Sequence, residues 1–196
     1  MLEPGKVMGF LWVAWVVSWL AAAFWSAPAT KRAGVRTEIT YRIPFLLGGI
    51  LFLIPAHGYS GRFRFWQVTS TGAWICAAII LLGLAFTWWA RIQLGRNWSA
   101  EISKKEEHQI IEKGPYAFVR HPIYTGLLLA ILATLAAKGT LLGIMGAVLL
   151  TLGFWMKARF EEKFLERELD GVAYADYRRR VPMLIPWKWP GSAGTH

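Results

Sequence analysis

Five stretches of the chain are nearly free of charge and rich in aliphatic residues and Trp: Val7–Trp25, Ile43–His57, Gly72–Ala90, Pro122–Ala137 and Thr140–Lys157. A bilayer core is crossed by about 20 apolar helical residues, with a range of roughly 17–25. The pattern therefore predicts an all-α, polytopic membrane protein with about five transmembrane helices. The second stretch is the shortest and is bracketed by Pro44 and Pro55. Only Lys138 and Gly139 separate the last two, which predicts a tight antiparallel hairpin. Beyond it, Phe160, Phe164, Leu165 and Leu169 recur at helical spacing among charges, predicting a helix over Arg159–Leu169 that Gly171 terminates. The first stretch is longer and richer in Trp than a signal-peptide core of about 7–15 residues, so it reads as a retained helix.

Charge orients these helices. If the spans alternate, the segments 26–42, 91–121 and the tail from 157 share one side. They hold eighteen of the 22 Lys and Arg. Basic loops mark the cytoplasmic face, so the C-terminus is expected in the cytoplasm. The chain divides into an N-terminal region of three spans, 1–90, and a region 91–196 of long loop, hairpin and basic tail. Loop 91–121 is much longer than a connector needs to be, which points to function.

Composition agrees with a membrane protein and removes other classes. The chain is 55% hydrophobic and only 17% charged, whereas soluble domains carry about 25%. The net charge of +10 belongs to orientation and anionic lipid, and no nucleic-acid partner is expected. Twelve Trp suggest rings placed at the headgroup level. The lone Cys76, inside an apolar run, excludes an internal disulfide and a cysteine metal cluster; no metal site is expected. Gly139-x-x-x-Gly143 has the spacing of a small-residue helix-packing motif.

Two constellations carry chemistry. Pro122 suits the first position of the fourth span, so free backbone amides face the cytoplasm there and form an anion site. Arg120 and His121 directly precede it, and Tyr124 lies about one turn after His121. Arg and Tyr at a span boundary also serve as plain interfacial anchors. The second constellation is Arg159, Glu161 and Glu162 at the end of the fifth span. Carboxylates at this depth are costly unless paired or used. The hairpin brings this end beside the start of the fourth span, so Arg120, His121, Tyr124, Arg159 and Glu162 are expected to share a neighbourhood. Glu161 points about 100° away from Glu162. A donor set of this kind suits S-adenosylmethionine, a nucleotide phosphate or a lipid headgroup.

The stretch Gly114-Pro115-Tyr116…Arg120-His121-Pro122-x-Tyr124-x-Gly126, an apolar hairpin, and then Glu161-Glu162…Gly171-x-x-Tyr174-x-x-Tyr177…Arg180-Val181-Pro182 resembles the isoprenylcysteine carboxyl methyltransferase family and the related phospholipid methyltransferases. Gly95-Arg96-Asn97-Trp98-Ser99 resembles its bacterial and archaeal members. The resemblance covers about residues 91–186. It implies an integral membrane methyltransferase using S-adenosyl-L-methionine, with S-adenosyl-L-homocysteine as product, acting on a lipidic or small apolar acceptor that enters from the bilayer. Carboxylate O-methylation is favoured, and N-methylation of phospholipid ethanolamine is the alternative; a transporter or scaffold is the non-enzymatic one. Carried over by position, His108, Gln109, Ile110 and Ile111 line the adenosine. Tyr116, His121, Pro122, Ile123 and Tyr124 contact the cofactor, Glu162 binds its polar groups, and Glu101 falls at a further contact. Arg120, His121, Arg159 and Glu161 are the catalytic candidates. The family's substrate-facing Arg falls on Ala158 by strict spacing, with Arg159 the nearest Arg, so the acceptor's class stays open.

Overall fold

A computed structural model describes residues 3–25, 31–32, 34–54, 63–95, 98, 101–104, 110–168 and 171–186. The apolar runs fold as helices, named α1 (Pro4–Ala22, followed by a 3-10 turn over Ala23–Trp25), α2 (Val35–Leu53), α3 (Ser70–Leu94), α4 (Pro122–Lys138) and α5 (Leu141–Glu168). A short α6 (Gly171–Arg180) follows, and a 3-10 turn at Gly114–Ala117 precedes α4. Pro stands in the first turn of α1 and of α4, where a missing N–H breaks no helical bond. Thr69 caps α3 by accepting from the Gly72 amide at 3.1 Å. Among the described residues the chain is an all-helical polytopic membrane protein apart from one antiparallel ladder of two residues a side, β1 (Lys31–Arg32) with β2 (Ser103–Lys104). Pro4–Trp25, Ser70–Leu94 and Leu141–Glu168 are each long and apolar enough to cross a membrane; α4 is apolar and shorter.

Three expectations change. The second helix begins at Val35, ahead of the predicted Ile43, and ends at Leu53; Pro44 lies inside it, and the predicted end at His57 lies outside the described residues. Arg36, Glu38 and Arg42 hid this start from an apolar-window reading. They suit a helix emerging from a bilayer, and Glu38 and Arg42 pair across one turn at 2.7 Å. The helix expected over Arg159–Leu169 is the unbroken continuation of α5 to Glu168. Gly171 opens α6 rather than closing its predecessor.

Packing proceeds in pairs, α3 on α4 and α2 on α5. A Cβ on Gly83 would lie 2.7 Å from the Gly126 carbonyl, so these two backbones touch where α3 crosses α4. Gly48 and Gly146 play the same part between α2 and α5, where a Cβ on Gly146 would lie 2.9 Å from the Gly48 carbonyl. Lipid tails are as apolar as side chains, so close backbone packing at small residues drives such association. Gly139 adopts a left-handed φ of +63° at the end of α4 and turns the chain into α5. Gly143 packs on Thr140 and Leu135 of the same hairpin, so the Gly139-x-x-x-Gly143 spacing serves the turn. Lys138 donates to the carbonyls of Phe52 and Ile54, placing its charge at the C-terminus of α2, where a helix dipole attracts a cation.

The Trp residues do more than mark an interface. Trp12 donates its indole N–H to Thr134 Oγ1 of α4 at 3.0 Å, and Trp15 to Thr87 Oγ1 of α3 at 2.7 Å. Trp15 stacks on Trp19, which meets Trp98 edge to face. These rings fasten α1 to the α3–α4 pair. At the end of α3 the fully buried Arg91 donates to the Ala22 carbonyl at 2.8 Å and the Gly95 carbonyl at 2.7 Å. Its guanidinium lies 4.1 Å from the Trp98 ring centre and 5.6 Å from that of Trp25. One cation thus ties together the ends of α1 and α3 and the start of the long loop.

Candidate active site

The site gathers where α4 begins and α5 runs on past the apolar core. His121 precedes Pro122 at the N-terminus of α4. Its ring stacks on that of Tyr124, three residues on, with the planes 4° apart and centres 5.3 Å apart. Glu161 and Glu162 meet this pair from α5 with one carboxylate each. Tyr124 donates its hydroxyl to Glu161 Oε2 at 2.8 Å. His121 Nε2 lies 3.2 Å from Glu162 Oε1, and its Nδ1 3.9 Å from Glu161 Oε2. The angular offset of neighbouring helical residues sends the two carboxylates to different surroundings.

Glu162 is buried against Arg120, whose Nε and Nη2 reach Oε1 at 2.8 and 2.7 Å. Arg120 Nη1 donates to the Arg178 carbonyl at 3.0 Å and to the Val181 carbonyl. The tail then runs along the start of α4. The Arg120 and His121 amides donate to the Pro182 and Met183 carbonyls at 2.9 and 3.1 Å, and Thr125 Oγ1 to that of Leu184 at 2.7 Å. Arg120 and Glu162 therefore join the α4 start, α5 and the tail. A cleft of about 430 Å³ opens beside them, lined by Arg120, Glu162, Arg159, Arg178, Arg179 and the 181–183 turn.

Glu161 projects about 100° away from Glu162. The Lys157 ammonium lies 5.6 Å from the ring centres of both Tyr41 and Tyr124. Tyr41 is 2% exposed. Below them Phe45, Phe154 and Tyr124 form an aromatic floor, with centres 4.6 Å apart for Phe45–Phe154 and 5.3 Å for Tyr124–Phe154.

The structure thus brings Arg120, His121, Tyr124, Glu161 and Glu162 together. It does not bring Arg159 to Tyr124. Arg159 lies on an exposed face of α5, 5.6 Å from the Trp155 ring, and borders the cleft on the Glu162 side. Ala158, not Arg159, is the buried neighbour. Glu101 sits apart from the α4 start, 3.6 Å from Arg42 of α2. Tyr116 is buried with Ala90 and Ile123, and Ile111 packs on that cluster. Ile110 packs on Tyr174, Tyr177 and Val181 of α6 and the tail. Pro122 is buried in the first turn of α4. His108 and Gln109 lie outside the described residues. Tyr177 donates its hydroxyl to the Tyr116 carbonyl at 2.7 Å, fixing α6 to the 3-10 turn. Burial holds the phenols of Tyr116, Tyr174 and Tyr177 well above their ordinary range, with Glu161 adding to the effect at Tyr116 and Glu162 at Tyr174. These phenols remain donors at neutral pH.

Lys157 and Tyr41 escaped the sequence reading. Lys157 stands four residues before Glu161 and three after Phe154, on one helical face, which is the signal that it shares their surroundings.

A sequence model of the isoprenylcysteine carboxyl methyltransferase (ICMT) family matches residues 75–167, from the second turn of α3 almost to the end of α5. Over this region, just under half of the chain, the sequence is similar to that family. The chain is 25% identical over 171 residues to protein-S-isoprenylcysteine O-methyltransferase B of Arabidopsis thaliana, covering 86% of this chain and 84% of that protein. Over 71 residues it is 45% identical to methanethiol S-methyltransferase 2 of Bradyrhizobium diazoefficiens, covering 36% of this chain and 26% of that protein. The solved structure of a eukaryotic intramembrane Ras methyltransferase ICMT shares the fold, with a TM-score of 0.52 and 24% identity over 76% of this chain and 53% of that one. The chain thus spans most of the plant relative and about half of the solved ICMT chain. The matched region contains the whole Arg120–Tyr124 segment and both carboxylates of the pair.

Proposed function

We propose that the chain is an integral membrane, S-adenosylmethionine-dependent methyltransferase, with its site at the cytoplasmic ends of α4 and α5 and a lipidic or small apolar acceptor. The carrying observation is that two adjacent carboxylates of α5 are each engaged by the Arg120-His121-x-x-Tyr124 segment of α4, inside the region that matches the family. The lopsided distribution of Lys and Arg supports the cytoplasmic placement.

The donor set fits the cofactor. Glu161 offers a carboxylate to an ammonium, and the first turn of α4 offers its dipole to a carboxylate. The faces of Tyr116 and Tyr124 suit a sulfonium, as aromatic rings suit other cations. When bound, S-adenosylmethionine supplies a methyl group on an electrophilic sulfur. The chain's own work is positional. His121 and Tyr124, stacked and tethered to Glu162 and Glu161, hold the centre rigid. Arg120 and Glu162 bring the tail over it and keep water out. Holding the nucleophile in line with the methyl at near-attack distance is the main source of acceleration in such a displacement.

An ionised carboxylate needs no base, which favours O-methylation. A second reading rests on the 45% identity with methanethiol S-methyltransferase 2: a small thiol as acceptor. Ethanolamine N-methylation is the remaining alternative.

Calorimetry of S-adenosylhomocysteine with the detergent-purified chain tests the reading. Micromolar binding, weakened by Glu161→Gln, is expected. Folded protein that binds none, in detergent and again in lipid, overturns it. Transfer of labelled methyl groups to a farnesylated cysteine, methanethiol and phosphatidylethanolamine then sorts the acceptors, since methyl esters are lost in mild base whereas S- and N-methyl groups are kept.

A further inference from the structure

The outward face of α5 changes character at one residue. Met145, Val148, Leu152 and Trp155 recur on one stripe of the helix and are all exposed, as befits a face turned to lipid. Arg159 continues that stripe, exposed, with its guanidinium 5.6 Å from the Trp155 ring centre. From Leu141 to Arg159 the helix rises about 27 Å. The hydrocarbon core of a bilayer is about 30 Å thick, so a helix entering near the Lys138-Gly139 turn delivers Arg159 to the opposite headgroup layer. A Trp ring one turn earlier suits the edge of that layer. Beside Arg159 lies the cleft of about 430 Å³, lined by four Arg and one carboxylate. The carboxylate is Glu162, which Arg120 already holds through two contacts. Arg159, Arg178 and Arg179 are the surplus. Arg178 meets Glu166 at 3.3 Å and Arg179 meets Asp176 at 3.2 Å, both in exposed pairs. Exposed pairs are weak and yield readily to a better anion. Neither Tyr124 nor Glu161 lines the cleft, so it is separate from the proposed reaction centre.

We propose that this cleft binds the phosphodiester headgroup of an anionic glycerophospholipid, whose acyl chains lie along the Trp155, Leu152 and Val148 stripe. The lipid is a resident of the site and not the methyl acceptor, so the proposal stands apart from the methyltransferase reading. Guanidinium groups fork onto phosphate oxygens, and the geometry is specific as well as strong. Arg159 comes from α5, and Arg178 and Arg179 from α6, so one phosphate bridges two helices. A zwitterionic lipid brings its own ammonium into a cleft with surplus positive charge, which selects an anionic headgroup. A free phosphate fills the polar end only and leaves the apolar stripe uncovered. Occupancy has a consequence for the tail. Pro182 and Met183 also line the cleft, and their carbonyls accept from the Arg120 and His121 amides. Bridging α5 to α6 therefore fastens the tail over the start of α4, and a ligand that binds only the folded chain stabilises it.

The test uses the full chain in phosphatidylcholine nanodiscs with and without phosphatidylglycerol. The melting temperature is read in the discs, and the lipid retained after delipidation is read by native mass spectrometry. The variants are Arg159→Gln, Arg159→Lys, the double substitution Arg178→Gln with Arg179→Gln, and Arg36→Gln, which removes one charge from an exposed position on α2. Wild type is expected to melt higher with phosphatidylglycerol present, and to keep one such lipid after phosphatidylcholine has been stripped. Arg159→Gln and the double substitution should each weaken phosphatidylglycerol about tenfold. Arg159→Lys should fall between them and wild type, because a point charge replaces a fork. Arg36→Gln should stay within about twofold of wild type. Inorganic phosphate and glycerol 3-phosphate, added in excess over the lipid, should fail to displace it. Equal stabilisation by the two lipids overturns the site. So does a loss in Arg36→Gln as large as in Arg159→Gln, which marks diffuse attraction to a charged surface. Displacement by inorganic phosphate overturns the lipid as the occupant.

Discussion

Arg120 and Glu162, 42 residues apart, meet through two contacts to one carboxylate oxygen, Nε at 2.8 Å and Nη2 at 2.7 Å, with side chains only 8% and 4% exposed. His121 Nε2 shares that oxygen at 3.2 Å. The remaining Arg120 nitrogen holds the tail through the carbonyls of Arg178 and Val181. The pair therefore has a structural duty in addition to any contact with a bound ligand, which separates Glu162 from Glu161.

Removing one partner of such a pair strands the other charge in a dry place. Glu162→Gln and Arg120→Met should each lower stability by about 3 kcal/mol, the cost of an uncompensated buried charge. Arg120→Met combined with Glu162→Leu should recover a good part of it, because the two losses share one interaction. Denaturant unfolding of the purified chain checks both. Single variants as stable as wild type would show that the pair does not secure the tail.

The backbone contact of Gly83 and Gly126 gives a sharper packing prediction. A Cβ on Gly126 would sit 2.8 Å from the Thr87 Cγ2 atom as well as against the Gly83 carbonyl. Gly126→Ala should cost about 1–3 kcal/mol through overpacking, and Gly126→Leu should prevent α3 and α4 from docking. Detergent-extracted Gly126→Leu protein should run as aggregate on size exclusion, whereas a substitution at Gly49, which has open space, should not. A monodisperse Gly126→Leu protein would contradict the crossing.

These relationships were unequally visible in the amino-acid string. The hairpin, the Arg120–Tyr124 segment and the Glu161–Glu162 pair are local in sequence and carry helical periodicity, so their meeting followed from one tight turn at Lys138-Gly139. The start of α2 was hidden because Arg36, Glu38 and Arg42 break an apolar window although they pair well on a helix. Tyr41 and Lys157 were hidden for another reason. Their significance arises only when α2 packs on α5, and nothing local in either segment announces that pairing. The Arg91 cage behaves likewise: its partners come from α1 and from beyond α3. Arg159 borders the cleft with Arg120 and Glu162 from an exposed face of α5. Its Cβ points about 100° from that of Ala158, enough to move a side chain from the interior to an exposed face.

The three raised phenols define an alkaline limit. Tyr116, Tyr174 and Tyr177 hold their protons in the folded state to higher pH than in the unfolded chain, because burial disfavours phenolate. Above the ordinary tyrosine range, near about pH 10, the unfolded state releases protons that the folded state keeps, so stability falls as pH rises. From these groups, stability should be level between about pH 7 and 9 and decline beyond about 10. Tyr177→Phe should weaken the decline while costing about 1 kcal/mol at neutral pH through loss of the bond to the Tyr116 carbonyl. Unfolding followed across pH with tyrosinate absorbance checks this; tyrosinate that forms before unfolding would contradict it.

The last prediction concerns the hydroxyl of Tyr124. It donates to Glu161 Oε2 at 2.8 Å, while the ring is held independently by stacking on His121 and by contact with Phe154. Tyr124→Phe removes the donor and leaves the ring contacts, so stability should change by about 1 kcal/mol or less. Glu161 then loses its fixed rotamer and turns toward Lys157. A carboxylate that has to be reoriented in each cycle positions its partner less well, and small misplacements at a reacting centre cost large factors in rate. Methyl transfer in Tyr124→Phe should fall by about tenfold in kcat, with S-adenosylhomocysteine affinity lowered by a smaller factor. Turnover at the wild-type rate, with the variant's fold intact, would show that the Tyr124–Glu161 bond braces the helices without orienting the chemistry.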